Sequence, residues 1–254
     1  MKGRVAVVTG GGSGIGLAIA AAYARRGANV VIADLDLKAG QAAVSTIGTS
    51  ATFVQTDVAS QEDCRHLIDT AEKKYGGVDV LVNNAGLQCV APVVDFPEER
   101  WNSLLAVLLT GTFLCTKYAL PHMIRQRWGR VINISSIHGK VASPLKAAYV
   151  AAKHGVLGFT KVAALEVGEH NITVNAICPA YVRTPLVERQ IAEQARQHGI
   201  PAADVVRQIM TEPAAIRRLL EPEEVASLAV YLASDDAAGI TGAALDIDLG
   251  WTAR

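Results

Sequence analysis

The 254-residue chain lacks a charge excess: 24 Lys and Arg balance 24 Asp and Glu. That balance gives no reason to expect nucleic acid or an anionic membrane surface as a partner. The six histidines are scattered and form no metal-ligand pattern, so no metal site is expected. Cysteine is scarce. Cys64, Cys89, Cys115 and Cys178 lie far apart without a C-x-x-C pair, and three of them fall in helix or strand patterns. Buried free thiols in a reducing, cytoplasmic setting are the expectation. Met1-Lys2-Gly3-Arg4 runs straight into a strand pattern and leaves no room for a signal peptide. An unbroken apolar run of membrane length is also missing. Leu104–Ile124 comes nearest, but Lys117, Pro121 and His122 interrupt it and Thr110, Thr112 and Thr116 dilute it. It reads as a helix buried against other protein.

What the chain has is apolar residues in short runs. Half of it is hydrophobic, ample for a core, and its length suits one large α/β domain or two small ones. Val5–Thr9, Asn29–Asp34, Ala51–Gln55, Val78–Asn83, Arg130–Ser135, Thr173–Cys178 and Ala244–Asp248 read as strands covered on both faces. Helical patterns lie between them at Ile15–Arg26, Leu37–Ile47, Gln61–Tyr75, Glu98–Gln126, Ala147–Gly168 and Pro222–Ala233. The alternation predicts a doubly wound α/β fold of Rossmann type, a parallel sheet with helices on both faces. No linker rich in Pro, Gly or Ser and no repeat divides the chain, so a single domain over residues 1–254 is expected. The alternation fails once, between about residues 181 and 220, where helical stretches Leu186–Gln197 and Ala202–Met210 intervene. An insertion at the carboxyl end of a parallel strand predicts a substrate lid, with a packing appendage as the alternative.

Thr9-Gly10-Gly11-Gly12-Ser13-Gly14-Ile15-Gly16 joins the first strand to the first helix. Glycine lets the backbone approach a pyrophosphate, and the helix N-terminus offers N–H donors and a positive dipole end. The spacing of Gly10, Gly14 and Gly16 departs from G-x-G-x-x-G, but the strand–turn–helix context predicts dinucleotide binding. Asp34 ends the second strand, eighteen residues beyond Gly16, and Leu35 and Asp36 follow it rather than Arg. A carboxylate there accepts from ribose hydroxyls and repels a 2′-phosphate, which predicts NAD over NADP. A helix N-cap role for Asp34 fits the same position. Asp57-Val58 after the third strand suits an adenine cradle, or Asp57 an N-cap. Asn83-Asn84-Ala85-Gly86 after the fourth suits a backbone passing close to the cofactor, or a simple turn.

Tyr149 and Lys153 stand four residues apart on one helical face. A free phenol, with a pKa of about 10, is a poor base at neutral pH. A nearby ammonium and the charge of an oxidised nicotinamide favour its phenolate. Ser136, thirteen residues before Tyr149, offers a donor to a substrate oxygen.

With the glycine turn and the Asn83–Gly86 run, these residues resemble the short-chain dehydrogenase/reductase family over essentially the whole chain. The resemblance implies a homotetramer and hydride transfer at a nicotinamide. It makes Tyr149 the acid/base, Lys153 the residue that binds the nicotinamide ribose and lowers the Tyr149 pKa, and Ser136 the polarising donor. Thr184 matches a position contacting the nicotinamide carboxamide, with Pro179 and Val182 beside it along the cofactor. Asn84–Gln88, Ser136–Gly139, Lys146–Tyr149, Tyr181–Gln190 and Gly250–Arg254 look further like the bacterial D-3-hydroxybutyrate dehydrogenases. In that group the residues matching Gln88, His138, Lys146 and Gln190 hold the substrate carboxylate. The implied reaction is NAD-dependent oxidation of D-3-hydroxybutyrate to acetoacetate, as in ketone-body metabolism. Another small hydroxy acid, a polyol, or NAD binding with weak turnover stand as alternatives.

The chain departs from the family pattern in four places. Leu108 stands where the family carries an Asn that helps hold a relay water behind the lysine. Thr110 points elsewhere on a helix and is no substitute. Pro179-Ala180 replaces Pro-Gly, Tyr181 replaces a Trp of the close relatives as an apolar wall with a hydroxyl added, and Asp248-Leu249-Gly250 replaces Asp-Gly-Gly.

Overall fold

The computed structural model describes residues 1–253, so Arg254 of the terminal motif lies outside the described residues. Short runs of Val, Ile and Ala form parallel strands β1 (Val5–Thr9), β2 (Asn29–Asp34), β3 (Ala51–Gln55), β4 (Val80–Asn83), β5 (Gly129–Ile134), β6 (Ile172–Pro179) and β7 (Ala244–Ile247). Among the described residues they make one seven-stranded sheet in the order β3-β2-β1-β4-β5-β6-β7. Helices α1 (Gly14–Ala24), α2 (Leu37–Ile47), α3 (Gln61–Tyr75), α4 (Glu98–Leu105), α5 (Gly111–Gln126), α6 (Ala147–Val167) and α9 (Pro222–Leu232) connect the strands. Helices α7 (Pro185–His198) and α8 (Ala202–Val205) occupy the interval between β6 and α9. The Rossmann-type fold expected from the alternation is the fold observed.

Alternate residues of each strand feed opposite layers. Ala6 and Val8 of β1 join Ile19 and Tyr23 of α1 and Val225 and Ala229 of α9. Val5 and Val7 face Leu67 of α3, Leu114 and Met123 of α5 and Ala163 of α6. The order reverses between β1 and β4, and a crevice opens there outside the carboxyl ends of the strands. The Glu98–Gln126 run, long and apolar enough to cross a membrane, lies along this sheet with Leu104, Leu108, Cys115, Ala119 and Met123 buried. It is not one uniform helix: residues Ala106–Thr110 form a π-helical turn between α4 and α5. Cys64, Cys115 and Cys178 are buried free thiols and Cys89 is half-buried. The Cys115 thiol donates to Cys64 Sγ at 3.6 Å, and Cys64 to the Val58 carbonyl at 3.3 Å.

A buried polar relay fixes the floor of the crevice. Asn83 Nδ2 donates to Asn133 Oδ1 at 2.8 Å and to Thr116 Oγ1 at 3.0 Å, and Asn133 Nδ2 donates to Thr160 Oγ1 at 2.9 Å. It ties β4, β5, α5 and α6 together. Truncating its centre leaves buried donors and acceptors without partners. Asn133→Ala is expected to destabilise the fold by about 3 kcal/mol, read as a lowered urea midpoint with unchanged slope.

The segment after β6 leaves and returns at one point. Val182 bridges to Leu220, Leu220 N–H donates to the Tyr181 carbonyl at 2.9 Å, and Arg183 N–H to Leu220 at 2.8 Å. Between those ends Val187, Ile191, Val205, Met210 and Leu219 form a hydrophobic cluster of their own. A second π-helical turn, Val206–Met210, follows α8. At the C-terminus Leu249 adopts a left-handed φ of 58°, which disfavours a β-carbon. The Asp248 carboxylate holds that turn by accepting from Gly250 N–H, Thr252 N–H and Thr252 Oγ1 at 2.9, 2.8 and 2.6 Å.

Candidate active site

The β1–α1 turn forms one wall of a cavity of about 420 Å³. Gly10 and Gly14 have φ of 60° and 52°. A β-carbon on Gly10 would come within 2.9 Å of Ala85 Cα, and one on Gly14 within 3.0 Å of Thr184 Cγ2. The turn therefore needs glycine both for its backbone and for the approach of β4 and α7. Asn84 locks it from below, its Nδ2 donating to the Thr9 and Gly10 carbonyls at 3.0 Å each. Thr9 Oγ1 accepts from the Asn84 and Ala85 N–H groups at 3.0 and 3.1 Å. Ser13 is the N-cap of α1 and makes no side-chain bond to the first turn. Its N–H groups are thus left at the cavity wall formed by Ser13, Gly14 and Ile15.

The residues expected along a cofactor are brought together with one exception. Gly10, Ser13, Gly14, Ile15, Asp34, Asp57, Val58, Asn84, Ala85, Gly86, Tyr149, Lys153, Pro179, Val182 and Thr184 all line this cavity. Gly16 does not. A β-carbon there would lie 2.2 Å from the Gly10 carbonyl oxygen, so Gly16 is the close-packing glycine of the helix–strand contact.

The N-cap alternatives fail. Asp36, not Asp34, caps α2 by accepting from Lys38 and Ala39 N–H, and Ser60, not Asp57, caps α3. Asp34 instead accepts from Gly12 N–H at 2.9 Å through Oδ2 and from Asp36 N–H at 3.0 Å through Oδ1. Asp57 Oδ1 accepts from Ala59 N–H at 2.9 Å. The Thr184 hydroxyl caps α7, accepting from Val187 N–H at 3.3 Å. Leu35, Thr56, Leu87, Val107 and Arg189 also line the cavity and were not expected there. Leu87 and Arg189 lie in stretches that carry the resemblance, and Leu35 and Thr56 adjoin Asp34 and Asp57, but no local pattern tells which of these side chains border the cavity.

A second cavity of about 80 Å³ shares Ser136, Tyr149, Ala180, Leu186 and Val187 with the first. Gln88, His138, Lys146, Tyr181 and Gln190 complete its lining, so the whole expected acid-binding set converges on one small space. Lys146 is buried, and among the described residues no acidic side chain pairs with it. Its Nζ donates to Tyr181 Oη at 3.0 Å and lies 3.3 Å from His138 Nε2. Removal from water, reinforced by the Lys146 ammonium, pushes the His138 imidazole down to about 4. His138 is therefore neutral near pH 7. The ring is boxed by edge-to-face contacts with Tyr149, Tyr181 and Trp251 at centroid distances of 6.3, 6.4 and 6.1 Å. Trp251 also donates to the Met210 carbonyl at 3.2 Å, joining the C-terminus to the α7–α8 segment, a contact no local sequence pattern announced. Gln88 Oε1 accepts from Cys89 N–H at 3.0 Å, which leaves its amide N–H groups as the free donors.

Where the two cavities meet stand Ser136 and Tyr149, with Lys153 beside them in the larger one. Ser136 Oγ accepts from His138 N–H at 3.1 Å. Lys153 Nζ lies 5.6 Å from the Tyr149 ring centre and donates to the Ile134 carbonyl at 2.6 Å. Burial pushes the Lys153 ammonium down to about 8 and the Tyr149 phenol up to about 12, against a lowering contribution from Ser136. In the protein alone burial thus outweighs the Ser136 contribution, and the phenol is held protonated. Leu108 is buried in the π-helical turn, packs with Leu104, Ala148, Ala152 and Tyr149, and lines the larger cavity. Thr110 is exposed and faces away, as its helical spacing from Leu108 predicted.

A family model described as short chain dehydrogenase matches residues 4–195. A D-beta-hydroxybutyrate dehydrogenase of Rhizobium meliloti is 45% identical, covering 99% of this chain and 99% of its own length. A D-beta-hydroxybutyrate dehydrogenase of Cupriavidus necator is 43% identical over the full length of both chains. A 2,5-dichloro-2,5-cyclohexadiene-1,4-diol dehydrogenase of Sphingobium indicum is 38% identical, covering 100% of this chain and 98% of its own.

Proposed function

The chain belongs to the short-chain dehydrogenase family, and on that premise we propose that it interconverts D-3-hydroxybutyrate and acetoacetate with NAD. The observation that carries the substrate is Lys146, a buried ammonium with no acidic partner among the described residues, in a small cavity bordered by Tyr149 and Ser136. A buried unpaired cation is costly, and an anion entering the cavity relieves that cost. Gln88 and Gln190 supply amide donors, neutral His138 steadies the ammonium, and Tyr181 walls the carbon chain. The volume suits a short acid.

The larger cavity fits a dinucleotide. Its glycine turn admits a pyrophosphate against the first turn of α1, and Asp34 presents a carboxylate to the adenine ribose. NAD is preferred because a 2′-phosphate would meet the Asp34 charge, with no Arg next to it in sequence. The bound nicotinamide supplies the hydride acceptor and, in reverse, the donor. The chain's own residues manage the proton and the geometry. Ser136 donates to the reacting oxygen, Tyr149 takes the hydroxyl proton, and Lys153 binds the ribose and favours the phenolate. Leu108 offers no hydrogen bond behind Lys153, so the Ile134 carbonyl is the group that holds the ammonium. Helix α7 acts as the lid, because Leu186, Val187 and Gln190 roof the acid cavity, and α8 packs against it through Val205. Exposed Phe113 on α5 and Val162 and Leu165 on α6 supply apolar surface for a homotetramer, and the free thiols suit the cytoplasm.

The test is NADH formation by purified enzyme across D-3-hydroxybutyrate, other small hydroxy acids and neutral polyols, with NADP in parallel. Oxidation of D-3-hydroxybutyrate with NAD well ahead of the polyols is expected. Preference for polyols would point to the diol reading that the Sphingobium relative raises, and binding of NAD without turnover on any substrate would remove the enzyme reading.

A further inference from the structure

The acid cavity contains a donor that the reaction itself does not require. Lys146 Nζ is 3.0 Å from Tyr181 Oη. An ammonium only donates, so the phenol oxygen is the acceptor in that bond. The hydrogen of the phenol is then not used toward Lys146 and is free to turn toward a third group. Tyr181 lines the small cavity with Lys146, and its ring is held in place by two neighbours: the Lys146 ammonium lies 5.1 Å from its centre and the His138 ring meets it edge-on. The backbone is equally fixed, since the Tyr181 carbonyl accepts from Leu220 N–H at the point where the lid segment returns to the sheet.

We propose that Tyr181 is a specificity-determining residue whose hydroxyl donates to the substrate carboxylate beside Lys146, selecting acids over neutral alcohols. An N⁺–H and an O–H donor held 3.0 Å apart match the two oxygens of one carboxylate. The bond from Lys146 to the phenol oxygen also polarises the O–H, making it a better donor to an anion. A phenol at this position couples selectivity to lid position, because Tyr181 is the residue from which the lid segment departs. The proposal rests on the acid reading of this cavity.

The test compares the unmodified enzyme with Tyr181→Phe, which keeps the ring and its packing. Two substrates are used, D-3-hydroxybutyrate and its neutral counterpart (R)-1,3-butanediol, and acetate serves as a competitive inhibitor carrying only the carboxylate. In the variant, KM for hydroxybutyrate and the acetate inhibition constant are expected to rise about tenfold, with kcat nearly unchanged and kcat/KM for butanediol unaltered. Equal acetate inhibition of both proteins would overturn the proposal while leaving the acid reading intact. Equal losses on butanediol would overturn it by revealing a packing role. Failure of acetate to inhibit even the unmodified enzyme would sink the acid reading, and the proposal with it.

Discussion

Tyr149→Phe is expected to lower kcat for hydroxybutyrate oxidation by about 10³-fold with little change in KM. Phenylalanine keeps the ring that packs against Leu104, Leu108 and Ala152, so fold and cavity shape survive. What goes is the phenol hydroxyl at the junction of the two cavities. The unmodified enzyme should also display the phenol in its pH profile. Burial raises the Tyr149 pKa toward about 12, which stabilises the protonated form. Alcohol oxidation needs the phenolate, so its rate should climb tenfold per pH unit until the phenol titrates. Ketone reduction needs the phenol and should fall as pH passes that same value. A positive charge bound nearby draws the value downward, and burial of Lys153, which brings its ammonium to about 8, weakens that help at high pH. In Tyr149→Phe the residual rate should lose this rise. An undiminished kcat, or an unchanged pH profile, would move the proton transfer to another residue.

Lys146→Met should show the converse pattern. Loss of the ammonium from a closed cavity is expected to raise KM for hydroxybutyrate by about 10²-fold, with kcat changed far less. Methionine retains most of the aliphatic stem, and no acidic side chain among the described residues is stranded by the change. The melting temperature should therefore hold or rise, because an unpaired buried charge has been removed. Steady-state kinetics with hydroxybutyrate and butanediol, with a thermal melt alongside, check this. A similar KM increase for both substrates would mean that the cavity recognises shape rather than charge.

Much of this arrangement was legible beforehand because it is written in local pattern. The bounds of β1, β2, β3, α2 and α3 follow from runs of apolar residues closed by Asp34, Asp36, Ser60 and Gly76. The convergence of Gln88, His138, Lys146 and Gln190 was carried by the resemblance, since the four lie on separate loops and one helix. Other features had no such signal. The π-helical turn at Ala106–Thr110 falls inside a continuous apolar stretch, where periodicity cannot register one extra residue. The assignment of caps to Asp36 and Ser60, rather than Asp34 and Asp57, depends on a shift of two or three residues among polar neighbours. Asn84 lines the larger cavity as its place after the fourth strand suggests, but the commitment of its amide to the Thr9 and Gly10 carbonyls is revealed only by the closeness of β4 to the glycine turn. Arg189 reaches the larger cavity and Trp251 the His138 ring across long sequence distances, beyond what pattern can convey.

The walls of the acid cavity have a consequence for how the chain acquires activity. Gln88 follows β4, His138 follows β5, Lys146 precedes α6, and Tyr181 and Gln190 belong to the segment after β6. The glycine turn, by contrast, is complete once β1, α1 and β4 have met. Closing loops between remote residues is entropically slow, and local units form first. During refolding, the turn that receives the pyrophosphate is therefore expected to form before the cavity that holds the acid. The cavity around Lys146 is a property of the finished molecule, because its walls meet only when the segments after β4, β5 and β6 are all in place.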